Sequence, residues 1–573
     1  MSAEERHVPR PSLVDPRTRT YVWPDRIAWQ QGEGLDAAKL LAATPPQSAV
    51  NTPPLLVLRP GDPRPGFLLD FGEELHGSVQ ITLGKTDDHK PGRLRVRFGE
   101  SYTEAMGEPN QDHAVHDQLV QAAWLGTTEV GQSGFRFVRI DLADDATAAV
   151  EVQGVRAVSL MRPLEQLGSF QCSDDRLNRI WQVGARTVHL CMQDYLWDGV
   201  KRDRLVWIGD MHPEAAVVSA VFGEVDVVPA SLDFARDECP LPGWMNGISS
   251  YSLWWVIVHR DWYLRYGRLD YLAEQRTYLL GLVELLLKQI DDKGRETMPD
   301  MRFLDWPTSG DAVAVHAGLQ ALLTLGLSAA ATLCDALREH KAAGRCKDAV
   351  VRLRRHVLAA PGVKQANALL ALAGLYDPVT ANRNELARDP LSGLSTFYGY
   401  YVLQARALAG DLPGCLDVIR QYWGGMLDRG ATTFWEDFDL AWLEGSGRID
   451  AATPPGKKDL HADFGGYCYT GLRHSLCHGW AAGPTAWLSE HVLGVTPLAA
   501  GFTKARVSPQ TVGLEWVRGT YPTPHGPIRV EVKRTADGTP QTTVDVPKGV
   551  ERVREWRVDA SAATCARDAR TDM

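Results

Sequence analysis

Up to about residue 164 apolar and polar residues alternate with period two, in short runs at 55–59, 66–71, 78–83, 93–99, 135–141 and 149–158. Gly, Pro and Asp separate the runs and no long helical window intervenes, which predicts an antiparallel β-sandwich. The run at 93–98, RLRVRF, is the clearest strand, basic on one side and apolar on the other. At 172–173 the period changes. Ser173 reads as an N-cap with Asp174 and Asp175 in the first turn, and Leu177, Ile180, Trp181, Gly184, Val188 and Cys191 keep helical spacing. Helical windows follow at 213–222, 251–266, 271–290, 312–340, 347–358, 365–375, 394–409, 412–427 and 478–493, with almost no strand pattern between them. So many helices around one core predict a toroid whose inner ring is buried on all sides. After Gly494 period two returns at 503–507, 513–518, 526–534, 542–546 and 552–558, a second, smaller β-sandwich. The division is therefore a sandwich over 1–165, a helical domain over 166–495 and a sandwich over 496–573.

Residues 312–334 contain no Asp, Glu, Lys or Arg and are long enough to span a bilayer. His316, Gln320, Thr324, Ser328 and Thr332 recur every four residues, however, and place one polar or small stripe along a helix. A lipid-facing helix would not carry that stripe without a partner. The run is read as a helix buried in the toroid.

Composition narrows the function. In 573 residues, 61 basic side chains face 71 acidic ones, a net charge of −10. That argues against a nucleic-acid-coating protein or a binder of anionic membranes. Nine cysteines, none in a C-x-x-C pair, indicate neither a disulfide framework nor a zinc ribbon. The first ten residues hold four charged ones where a signal peptide needs an apolar run, so the chain reads as cytoplasmic. Trp is the commonest aromatic, and 13 of the 18 lie from Trp181 to Trp487, clustered. Any one indole is best read as core packing. The clustering raises a second use, since a broad flat ring suits the C–H face of a sugar.

Nucleophile-elbow and nucleotide-loop motifs are missing. His474 and His478, four apart on an expected helix with Cys468 and Cys477 nearby, lack the Glu of a zinc motif, and neither metal nor cofactor is expected. The densest polar stretch is 197–214, WDGVKRDRLVWIGDMHPE, with Asp198, Lys201, Arg202, Asp203, Arg204, Asp210 and Glu214 between tryptophans and glycines. A buried salt-bridge network holding a helix entry would have the same residues. Carboxyls beside indoles, however, lose hydration, and one can become a general acid. A second Trp-flanked acidic stretch, 431–442, carries Glu436, Asp437 and Asp439 between Trp435 and Trp442. Two such segments are what hydrolysis of a glycosidic bond needs.

At these residues the chain resembles the α-L-rhamnosidases built on an (α/α)6 barrel, glycoside hydrolase family 78. Their signature D-C-P-x-R-D-E-R-L-G-W-T-G-D is matched in its second half by Arg204-Leu205-Val206-Trp207-Ile208-Gly209-Asp210. Asp203 falls on the family's general-acid Glu, and Asp198 on the leading Asp when one residue is skipped. The A-T-T-x-W-E segment appears as Ala431-Thr432-Thr433-Phe434-Trp435-Glu436, which puts Glu436 on the general base. An N-H-Y-A-x-G helix is echoed by Cys477-His478-Gly479-Trp480-Ala481-Ala482-Gly483, and a D-W pair by Asp305-Trp306. Flanking motifs, among them Arg97-Phe98-Gly99-Glu100 and Gly519-Thr520-Tyr521, look like the family's two β-sandwiches. The chain departs from the pattern in an acid one methylene shorter, in Gly199-Val200 for C-P, and in Tyr251-Ser252-Leu253 where many members carry an acidic residue.

The resemblance implies an (α/α)6 barrel between antiparallel β-sandwiches and an inverting hydrolase releasing a terminal α-L-rhamnose or related sugar. Asp203 and Glu436 would be catalytic. Asp198 and Asp210 would bind sugar hydroxyls, with Arg202, Trp207, Trp306, Trp435 and His478 shaping the pocket. The partner would be a carbohydrate or glycoside, with neither nucleic acid nor membrane, and the oligomeric state is left open, a homo-oligomer included. Two rivals stand beside it: a polysaccharide lyase on a similar toroid, and a carbohydrate-binding relative that has lost catalysis.

Overall fold

The computed structural model describes residues 14–42, 47–108, 116–359, 361–535 and 538–554. The charged start of the chain, Cys565 and the tail of the last expected strand (555–558) lie outside these.

Eight antiparallel strands form the N-terminal sandwich: β1 (Thr18–Val22), β2 (Arg26–Gln31), β3 (Leu56–Leu58), β4 (Gly66–Thr86), β5 (Gly92–Gly99), β6 (Asp117–Ala122), β7 (Thr127–Leu142) and β8 (Val150–Met161). They follow the path β1-β8-β4-β7-β5-β6, with β2 on β4 and β3 on β8. The sequence windows at 66–71 and 78–83 are one strand of 21 residues, β4, whose register against β7 shifts between Asp70 and Leu75. Such irregularities bend a strand without ending it.

The helical domain closes on itself. Met211–Val221, Ser249–Tyr266, Ala312–Ala336, Lys364–Leu372, Gly399–Leu408 and Gly483–Trp487 each contact the next, and the last returns to the first. These ring helices are buried almost all round, as helices without a polar face must be. Around them lie amphipathic helices such as Asp175–Cys191 and His340–Leu353. The uncharged helix Ala312–Ala336 is one of the ring, long and apolar enough to cross a membrane but mostly buried here. Its polar stripe is accounted for locally. Gln320 donates to the carbonyls of Gly294 and Leu353, and Thr324, Ser328 and Thr332 each donate to the carbonyl four residues back.

Several expected helices differ in detail. Asp174, not Ser173, caps Asp175–Cys191, accepting from the backbone of Arg176 and Leu177. Ser173 instead accepts from the Glu515 N–H at 2.9 Å, fastening the helix start to the C-terminal domain. The 271–290 window is split at Gln275, and the 412–427 and 478–493 windows each contain a π turn.

The C-terminal sandwich pairs β10 (Val495–Pro497), β11 (Lys504–Val507) and β15 (Glu551–Val553) in one sheet, with β11 and β15 parallel. The other sheet runs β14 (Pro540–Asp545), β13 (Ile528–Arg534), β12 (Trp516–Tyr521), β9 (Ser169–Cys172). Thus β9, which precedes the helical domain in sequence, supplies an edge strand to the domain that follows it.

Candidate active site

The acidic stretch leaves the outer helix Asp175–Cys191 and forms a closed loop. Asp198 N–H donates to the Leu205 carbonyl at 3.1 Å, and Leu205 N–H returns to Asp198 Oδ1 at 2.9 Å. Asp203 and Arg204 stand at its tip with φ of 52° and 54°. Two consecutive L-residues in the left-handed region cost roughly 1–2 kcal/mol each, so their surroundings must hold them. The loop is seated by Gly479 N–H on the Asp198 carbonyl (2.8 Å) and a β-bridge from Gly199 to His478. Farther on, a Cβ at Gly209 would meet the Tyr251 ring at 2.4 Å, so glycine is needed where the chain crosses the ring before Asp210 opens Met211–Val221.

The second stretch runs extended against 475–478. Glu436 N–H donates to Ser475 O (3.0 Å) and His478 N–H to Phe434 O (2.9 Å). Ser475 N–H then holds the Glu436 carboxylate at 3.1 Å. The Glu436 carbonyl accepts from the Trp480 indole (2.9 Å) and the Thr396 hydroxyl (2.6 Å).

These pieces enclose a cavity of about 250 Å³. Asp198, Arg202, Asp203, Trp207, Asp210, Trp306, Glu436 and His478, all singled out in the sequence, line it. Trp435 does not, contrary to expectation. In an extended chain neighbouring side chains point to opposite faces, so Glu436 facing the cavity turns Trp435 into the core, edge-on to Phe438 at 5.6 Å. His474 and His478 share no helix either. His474 follows a short turn at Gly471–Arg473 and accepts from Asp437 N–H at 2.9 Å, while His478 precedes Gly479–Ala482.

Other lining residues were not read from the sequence. Asn246, Ile248, Tyr251, Met301, Phe303, Cys468, Tyr469, Arg473 and Trp480 complete the wall. Tyr251, Cys468 and Trp480 stand in the sequence motifs described above without a place in the pocket. Tyr469 sits in a loop with no acidic–aromatic pattern, yet its hydroxyl accepts from the Trp306 indole and the Arg202 guanidinium lies 5.3 Å from its ring centre. Trp207 meets Tyr251 edge-on at 6.1 Å, and Trp480 stacks on Phe397 at 4.7 Å.

Arg202 is the electrostatic centre. One terminal nitrogen donates to Glu436 Oε2 and the other lies 3.2 Å from Asp203 Oδ1, while Nε donates to the Arg473 carbonyl at 2.9 Å. Glu436 is buried, whereas the Asp203 side chain is 36% exposed and open to an incoming group. Burial raises the Glu436 pKa, and the Arg202 guanidinium draws it part of the way back. Burial pushes Asp198 up to about 8 and Asp210 well above the usual carboxylate range. Asp198 is therefore largely protonated at neutral pH and can offer an O–H to a ligand, and burial favours the same form of Asp210. His478 Nε2 lies 3.5 Å from Glu436, 3.6 Å from Asp198 and 3.9 Å from Asp210. Burial takes its pKa down to about 4, so it is neutral at pH 7. Neutral donors, one guanidinium and aromatic walls make a site for a polyhydroxylated ring.

Residues 165–343 match the bacterial alpha-L-rhamnosidase 6 hairpin glycosidase domain, and 494–553 the bacterial alpha-L-rhamnosidase C-terminal domain. An alpha-L-rhamnosidase of Alteromonas sp. (strain LOR) is 32% identical over 149 residues, 26% of this chain and 14% of that protein. Among solved structures, the GH78 family rhamnosidase of Bacillus sp. GL1 aligns at TM-score 0.70 and 22% identity, over 90% of this chain and 57% of that one. A rhamnosidase from Klebsiella oxytoca with rhamnose bound aligns at TM-score 0.63 and 21% identity, over 83% and 96%. Two stretches of the chain are thus similar to bacterial alpha-L-rhamnosidase domains, and its fold is that of the solved rhamnosidases. The chain spans little more than half the length of the Bacillus protein and a seventh of the Alteromonas one.

Proposed function

We propose that this protein is an inverting glycoside hydrolase that releases a terminal, non-reducing α-L-rhamnosyl residue, or a closely related sugar, from glycosides or oligosaccharides. The observation that carries the reading is the convergence of Asp203 and Glu436, from segments far apart in sequence, on the two terminal nitrogens of Arg202 at one cavity. Glu436, paired with that guanidinium, draws a proton from a water molecule as its oxygen bonds to the anomeric carbon. Asp203, on the open side, gives its proton to the glycosidic oxygen as the bond to the aglycone breaks. Asp198 and Asp210 donate to sugar hydroxyls, and Trp207 and Trp306 offer indole surface to the ring and its methyl group. Of the related structures, the Klebsiella oxytoca rhamnosidase holds rhamnose.

A panel of aryl glycosides tests the substrate: release from the α-L-rhamnoside and not from other sugars is expected. Proton NMR early in that reaction should show the β-anomer. Early α-anomer would mean retention, with Glu436 as nucleophile, and an unsaturated product absorbing in the ultraviolet would mean a lyase.

A further inference from the structure

One buried charged cluster, unused by the reaction above, touches both halves of the site. Lys201 stands two residues before Asp203 with its side chain 1% exposed. Its Nζ lies 2.9 Å from Glu104 Oε1 and 3.7 Å from Glu100 Oε2, and donates to the carbonyls of His474 (3.0 Å) and Leu472. Glu100 accepts from Leu476 N–H at 2.6 Å and from the Ser475 hydroxyl at 3.3 Å. Ser475 is the residue whose N–H holds Glu436. Glu100 follows β5, and Glu104 lies in the single turn Tyr102–Met106, so both belong to the N-terminal sandwich.

The sandwich grips the same loop twice more. Gly134 N–H donates to the Val200 carbonyl at 2.9 Å, and Arg204 donates to the Gln132 carbonyl at 2.8 Å. The loop between these grips carries the two consecutive left-handed residues, a conformation that persists only where neighbours over-determine it. Glu100, Glu104 and His461 also place ligand atoms within 4.8 Å of one another, as a metal site would. The Lys201 ammonium supplies the positive charge such a set calls for.

We infer that Glu104 and Glu100, acting through Lys201, are positioning residues. They fix the Asp203 turn against the 473–476 segment that holds Glu436, so the N-terminal sandwich sets the placement of the two catalytic carboxyls. The inference rests on the roles proposed above for Asp203 and Glu436.

The test uses Glu104→Gln, Lys201→Met and their double variant in the full chain. A carboxyl displaced by about 1 Å costs on the order of 100-fold. That loss is expected in kcat on a rhamnoside with a poor leaving group, with KM little changed, and a smaller one on the dinitrophenyl rhamnoside, which feels the displaced Glu436 but little of the displaced Asp203. The double variant should be no worse than the worse single one, because the residues act as one unit. Hydrogen exchange should quicken in peptides covering 198–207 and 473–478, and otherwise only in the turn around Glu104 itself, whose carboxylate accepts from Glu100 N–H at 2.8 Å. Glu104→Asp, which keeps the charge, should recover part of the loss, and it serves as the folded variant if Glu104→Gln aggregates. Unchanged kcat on both leaving groups, additive losses, or unchanged exchange in those two peptides would overturn the inference. If the wild-type chain hydrolyses no rhamnoside, the proposed function falls, and the exchange measurement still decides whether the cluster holds the two segments together.

Discussion

Arg202 reaches Asp203 with one nitrogen and Glu436 with another, yet the two carboxyls differ in surroundings: one a third exposed, one buried. Their variants should differ likewise. Asp203→Asn is expected to slow hydrolysis of a poor-leaving-group rhamnoside by roughly 10²–10⁴-fold. The dinitrophenyl rhamnoside, which needs little protonation, should lose much less. Glu436→Gln should depress kcat/KM for both alike, since water must be activated whatever departs. Equal losses in a folded Asp203→Asn would move the acid role to Asp198 or Asp210, whose protonated forms burial favours. Asp198 also links stability to pH. Its pKa rises from an ordinary value of about 4 to about 8 on folding. The native state therefore holds the extra proton, and this contribution is fully present below pH about 4 and lost as pH rises to about 8. Asp198→Asn keeps an acceptor for Leu205 N–H and removes the titration. Its melting temperature should fall less steeply than wild type's across that window, and parallel curves would contradict the assignment.

At the scale of elements, the informative departures are at helix ends and π turns. Ser173 and Asp174 are both good caps by residue type, and the choice falls to Asp174 because Ser173 is engaged by Glu515 while Asp174 also meets Arg420 at 2.6 Å. Asp174→Ala is expected to cost about 1–2 kcal/mol in denaturant unfolding, and Ser173→Ala less. In the 412–427 window the π turn Ile419–Trp423 precedes Gly424, whose absent Cβ admits the Arg176 guanidinium. Arg176 Nε takes the Arg420 carbonyl at 2.7 Å. Hydrophobic periodicity carries no trace of such an inserted side chain.

For the whole molecule, the seam between sandwich and barrel is polar and buried. Asp70, 1% exposed on β4, accepts two hydrogen bonds from Arg136 at 2.8 and 3.0 Å, and Arg136 donates across the seam to the Gly430 carbonyl at 3.2 Å. Removing one partner strands a buried charge, so Asp70→Ala is expected to cost roughly 3–5 kcal/mol. Because the seam joins the domains, calorimetry should show the main transition moving down as one peak, with no early transition of a detached sandwich.

The alternation of strands and the 3.6-residue period of helices are local properties, so the order sandwich, helices, sandwich was legible along the chain. The acidic–aromatic stretches were legible for the same reason: Asp198, Arg202, Asp203, Trp207 and Asp210 are close in sequence and stay close in space. Asp305-Trp306 and Trp435-Glu436 were visible as pairs, but which partner faces the cavity depends on the phase of an extended chain, and there Trp435 turned away. Tyr469 and Phe303 reach the site from loops, and Asn246 from the single turn Met245–Gly247, with no period to read. The pairing of β9 with β12, and the reach of Glu100 and Glu104 to Lys201, join residues of different domains. Such contacts leave no mark in either segment alone, because burial and charge pairing across a seam are settled only when both surfaces meet.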